Sequence, residues 1–142
     1  MCPVRLGVLF LFAVLVGCDT SDLYDEEVGD LVLSVAETAK ERELRLATVE
    51  VYPCSNYPLV VDADVSTQGA RITVSGIGEV EGCRTAIGSA VAAVRVPTGS
   101  IVVGYEVAIE KGGRTDRFEY SCGVAGCVLS AVGAPEFTRI GP

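Results

Sequence analysis

In the segment VVDADV, Asp62 and Asp64 stand two residues apart. On a strand, that spacing projects both carboxylates from one face. Paired carboxylates can hold a calcium ion or share acid–base work, and Ser66 and Gly69 just downstream faintly resemble part of a calcium loop. The distant bidentate Glu of such a loop is missing, so a solvated strand face explains the same residues more simply. Nucleophilic chemistry is harder to assemble. Ser75, Ser89 and Ser121 offer hydroxyls, but the chain has no His, which removes the Ser–His and Cys–His couples. Lys40 and Lys111 are the only lysines, which also narrows Ser–Lys alternatives. Composition leaves carboxylate-based hydrolysis open, although a chain with no Trp, five Tyr and four Phe offers few rings to stack on sugars.

Two further patterns bear on ligands. RITVSGIGEVEGC carries Gly76, Gly78 and Gly82 after an extended run, but the third Gly falls one residue late for a dinucleotide-binding loop and no helix clearly follows. A glycine-rich turn is the better reading. Tyr52, Tyr57, Tyr105 and Tyr120 combine apolar area with a polar tip. YPCSNYPL, with Tyr52 and Tyr57, two Pro and Cys54, could form a stiff contact loop. The same rings could instead cap a core.

Most of the elements that must position these residues have a period of two. RLATVEVY, LVVDADV, RITVS, AVAAVRV, SIVVGYEVAIE and DRFEYS alternate or are β-branched, and Gly, Pro, Asn and Ser divide them. CVLSAV and EFTRI are weaker candidates in the tail. EKGGRTD is the clearest hairpin turn, because paired Gly residues accept positive φ. About eight short strands predict a mainly β fold, an antiparallel immunoglobulin-like sandwich with a small barrel as the alternative. LVLSVAETAKERELRLATVEV is mixed: its ends look extended, while AETAKEREL has strong helix formers, so a short N-terminal helix is expected.

The N-terminus has the layout of an export signal: Arg5, an apolar run from Leu6 to Val16, then Gly17 before Cys18. The run is about half the ~20 residues needed to span a bilayer as a helix. Leu15-Val16-Gly17-Cys18 resembles the lipobox of bacterial lipoproteins. That resemblance implies diacylglyceryl transfer to the Cys18 sulfur, cleavage before it, and a membrane attachment through lipid, on the periplasmic face or at the cell surface. Asp19 next to it has two meanings among such proteins, inner-membrane retention or, within an acidic stretch, surface display. Two or three acyl chains hold a soluble domain durably, where one holds it marginally.

Cleavage would remove residues 1–17. The acidic stretch DTSDLYDEEVGD then begins a solvated tether, assigned with the possible helix to residues 18–43, and residues 44–142 form the β domain. Losing Arg5 leaves 10 basic against 19 acidic residues, a net charge of −9. Such a balance opposes binding to nucleic-acid phosphates. With Cys2 lost and Cys18 lipidated, Cys54, Cys83, Cys122 and Cys127 remain. Four cysteines permit three pairings, and Cys54–Cys83 with Cys122–Cys127 is favoured because CGVAGC places its pair across a short turn. Zinc would ask for closer pairs or His. The expectation is a non-enzymatic envelope lipoprotein without a cofactor, binding an envelope protein or glycan or serving as a structural module. The alternative is a carboxylate-dependent hydrolase or calcium-binding domain using Asp62 and Asp64.

Overall fold

The computed structural model describes residues 28–37, 41–98 and 104–142. Nine strands are present among them: β1 (Leu31–Glu37), β2 (Arg42–Thr48), β3 (Leu59–Val65), β4 (Gly69–Ile77), β5 (Val91–Val96), β6 (Tyr105–Lys111), β7 (Arg114–Gly123), β8 (Gly126–Ala131) and β9 (Thr138–Ile140). They form a four-stranded sheet of order β5-β2-β1-β9 and a five-stranded sheet of order β3-β4-β6-β7-β8. A mainly β, two-sheet sandwich therefore forms, and it does not close into a barrel. One flank is joined by a bridge between Pro58 and Val91, and β8 and β9 form the edges of their sheets at the other.

Not every pairing is antiparallel. β1 pairs β9 in parallel, and β4 pairs β6 in parallel. The second follows from connectivity: after β4 the chain crosses to the opposite sheet as β5, then returns beside β4 running the same way. Short local turns give the antiparallel pairs β1–β2, β3–β4, β6–β7 and β7–β8, whereas strands brought together by excursions through the other sheet pair either way, β2 with β5 antiparallel and β4 with β6 parallel.

The stretch assigned to the tether contributes a strand, so the β domain begins before residue 44. β1 pairs β2 from Leu31↔Thr48 to Glu37↔Arg42. The helix-forming letters at Ala36, Glu37 and Arg42–Leu44 are thus drawn into a ladder. Residues 38–40 and everything before residue 28, including the lipobox, lie outside the described residues. Packing explains why strand wins here: alternation sends Leu31 and Leu33 of β1, and Leu44 and Leu46 of β2, to one face, all essentially without solvent contact. Ile72, Val107, Ile109 and Phe118 meet them from the other sheet.

The end formed by the β6–β7 hairpin gathers the segment that leads into β1 and the start of β9. Gly112 and Gly113 turn with φ of +55° and +75°, as a two-residue hairpin requires. Beside the turn, the buried Lys111 Nζ donates to the carbonyl oxygens of Val28, at 2.6 Å, and Gly29. Asp116 on β7, only 3% exposed, accepts backbone N–H bonds from Glu136 (2.7 Å), Phe137 (3.0 Å) and Thr138 (2.7 Å). One cation fixes the entering chain and one carboxylate fixes the start of β9.

Candidate functional site

At another part of the sandwich, the β2–β3 and β4–β5 connections are tied into a double loop. Cys54 and Cys83 form a disulfide with a Cα separation of 5.2 Å. Neither cysteine lies in a strand, so this bond joins connections and does not bridge the two sheets strand to strand. Around it, Asn56 Nδ2 donates to the Gly82 carbonyl at 3.0 Å, and the Arg84 N–H donates to Asn56 Oδ1 at 3.2 Å. Tyr52 and Gly88 exchange backbone hydrogen bonds of 2.8 and 3.1 Å. A Cβ at Gly88 would lie 2.9 Å from the Ser55 Cα, so the loops touch where only glycine fits.

Tyr52 and Tyr57 pack edge to face, ring centroids 5.7 Å apart, and both lean half-buried against the core. Tyr105 and Tyr120 are buried, and burial pushes both phenols above their usual pKa range. The tyrosines thus serve mainly as support. What this flank presents to solvent is aliphatic: Val51 is 63% exposed, Ile87 75% and Val91 53%. Sequence reasoning singled out this loop through its Tyr and Pro residues but missed these side chains, because an isolated Val or Ile carries no signal of exposure.

Asp62 and Asp64 are exposed on β3, an edge strand. Asp62 is registered with Thr73 and Asp64 with Arg71. Arg71 in turn lies 3.5 Å from Glu110, and Arg117 pairs with Glu106, so the outer face of this sheet is a mixed-charge ladder. A shallow cleft of about 280 Å3 borders Asp64, Ser66, Arg71 and Glu106. The Ser66 hydroxyl is engaged by the N–H groups of Gln68 and Gly69, each at 3.2 Å, and so closes a turn. Among the described residues, no three acidic, His or Cys side chains converge in a way that could hold a metal ion. The double substitution Asp62→Asn, Asp64→Asn is expected to leave stability within about 0.5 kcal/mol of wild type, as for exposed positions generally. Thermal melts with and without millimolar calcium check this, and a calcium-dependent rise abolished by the substitutions would contradict it.

A third constellation lies where β1, β2 and β7 meet. Arg42 is 9% exposed, and its guanidinium donates to Glu37 Oε1 at 2.7 Å and stands 4.8 Å from the centre of the Tyr120 ring. The Tyr120 hydroxyl donates to Glu37 Oε2 at 3.3 Å. The Arg42 hydrogen bond holds the Glu37 carboxyl below its usual pKa range. Arg42 Nη2 also reaches to 3.8 Å from the Cys122 sulfur, which is bonded to Cys127. Nothing local in the sequence marks this group, since its members come from three strands.

Comparison with protein-family models, with curated proteins and with solved structures finds no match to this chain. Its chemistry has to be read from the side chains themselves.

Proposed function

We propose that this protein is a lipid-anchored module of a bacterial envelope, held to a membrane through Cys18, whose double loop binds a partner protein. Support for the location comes from the Leu15–Cys18 motif, together with two disulfides, which form and persist in oxidising compartments. The observation that carries the binding role is the bracing of exposed aliphatic side chains. Val51, Ile87 and Val91 sit on or beside connections tied by a disulfide, a backbone bridge and two Asn56 hydrogen bonds. Loops held this firmly lose little conformational entropy on contact, and apolar side chains kept in water gain by being covered. A protein surface suits them better than a glycan, because the Tyr52 and Tyr57 rings lie half-buried against the core and do not offer an open stacking face.

Two measurements on protein made in its native host test the reading. Intact mass should show a chain beginning at Cys18 and carrying acyl groups, and a free thiol or half-cystine there would remove the anchor. A photo-crosslinking residue at position 87 should give one discrete protein adduct, diminished at least about tenfold by Val51→Asp, an effect typical of a central contact. The same probe at position 62 should give none. Equal labelling from both positions would refute a loop-directed partner.

A further inference from the structure

We propose that the Cys122–Cys127 disulfide is a reactive thiol-exchange site, attacked at Cys127 by an external thiolate and assisted by Arg42, which stabilises Cys122 as the leaving group. This proposal depends on neither the lipid anchor nor the loop partner.

The two sulfurs have unlike surroundings. Cys127 is exposed and borders a cleft of about 360 Å3 whose other walls include Tyr120, Leu129 and Ile140. Cys122 is half-buried and packs against the core. An incoming thiolate therefore meets Cys127 first. The sulfur that must leave faces the buried guanidinium, with Nη2 at 3.8 Å. Arg42 Nε is also buried and has no hydrogen-bond partner among the described residues, so the guanidinium has donor capacity left for an anion. Arginine remains cationic throughout the accessible pH range, and a nearby cation lowers the energy of a thiolate. A better leaving thiolate departs faster and shifts the couple toward the reduced form.

The steps balance without an unnamed reagent. A thiolate RS⁻ bonds to Cys127 Sγ, the bond between the two Sγ atoms breaks, and its electron pair resides on Cys122 Sγ beside Arg42. A second thiolate bonds to the sulfur of the attached RS group, the bond from that sulfur to Cys127 Sγ breaks, and its electron pair stays on Cys127 Sγ as a thiolate. The protein gains two electrons and the two thiols become one disulfide. The co-reactant class is a low-molecular-weight thiol or a dithiol protein, and the reverse sequence oxidises such a partner.

The hairpin holds together without this bond. β7 and β8 are paired from Phe118↔Ala131 through Gly123↔Gly126, and the disulfide spans a separation of only five residues. Opening it leaves the ladder and the remote Cys54–Cys83 bond in place. Glu37 moderates the site: its carboxylate, 2.7 Å from Arg42 Nη2 and 45% exposed, shares the positive charge that would otherwise favour Cys122.

The test treats the full chain with glutathione at neutral pH, alkylates it at intervals and maps each cysteine by mass spectrometry. The expected product carries glutathione on Cys127 and alkylation on Cys122, while Cys54–Cys83 stays closed. Opening should slow about tenfold in Arg42→Gln, recover in part in Arg42→Lys, and quicken about threefold in Glu37→Gln. The exposed Glu37 position keeps the question decidable if Arg42→Gln unfolds, which concurrent opening of Cys54–Cys83 would reveal. Preferential adduct formation on Cys122 would overturn the proposal. So would opening only at the rate of global unfolding, or an unchanged rate in Glu37→Gln.

Discussion

Replacing Asp116 with alanine is expected to lower the unfolding free energy by roughly 3 to 5 kcal/mol, because three backbone N–H groups lose a charged acceptor and two of those bonds are buried. For a domain of this size that is a fall in Tm of about 15 °C. Asp116→Asn should cost less, since its one carbonyl oxygen can still accept, although its amide would face a donor. The effect depends on pH in a definite direction. Burial alone would raise the Asp116 pKa, but the N–H groups of Glu136, Phe137 and Thr138 outweigh it and hold the carboxyl below its usual range. A carboxyl depressed in the folded state contributes its full stabilisation above the unfolded value of about 4 and loses it as pH falls through the lower folded value. Urea titrations from pH 7 to pH 2 should therefore show wild type and Asp116→Ala converging below about pH 4. A gap that stayed constant over that range would mean the carboxylate charge contributes little.

Removing the Cys54–Cys83 bond by Cys54→Ala with Cys83→Ala should cost about 3.5 kcal/mol on the chain-entropy model for a separation of 29 residues. Removing Cys122–Cys127 in the same way, across a separation of five, should cost about 2 kcal/mol. The first change also frees the two connections that Asn56 and the Tyr52–Gly88 bridge only partly hold. Loss of partner crosslinking at position 87 is expected with it, and not with the second. Denaturant midpoints measure the stability difference, provided both proteins unfold in one step. Equal costs for the two bonds would show that the double loop is held by its packing and hydrogen bonds and owes little to the disulfide.

Several strands were legible because their pattern is local. RITVS, AVAAVRV and DRFEYS bury alternate side chains, and the chain separates them with turn residues. EKGGRTD forms its hairpin for the same reason, since two adjacent residues at positive φ are needed and two glycines provide them. The disulfide pairing was also readable, with one pair across a turn and the other left over. The strand character of Ala36, Glu37 and Arg42–Leu44 was not. Their Ala, Glu and Arg residues favour helix weakly, while burial of Leu31, Leu33, Leu44 and Leu46 against the opposite sheet favours strand more strongly.

The candidate sites divide along the same line. YPCSNYPL could be singled out from its composition, but which of its side chains face water depends on the core behind them. Strand periodicity was enough to put Asp62 and Asp64 on one face, but their exposure, shared by Ala63 between them, goes with the edge position of β3. Arg42, Glu37, Tyr120 and Cys122 could not be associated from spacing. β1 and β2 belong to one sheet and β7 to the other, and only the stacking of the sheets brings their ends together.

What the sequence determined alone was a mainly β chain with disulfide-forming cysteines and an acidic balance, because composition, period and turn chemistry act over a few residues. The tertiary structure decided the parallel pairings, the strand at Leu31–Glu37, the buried roles of Asp116 and Lys111, and the guanidinium beside Cys122. Those features arise between residues distant in the chain, where the energy of bringing groups together depends on which sheets stack and which charges lose their water.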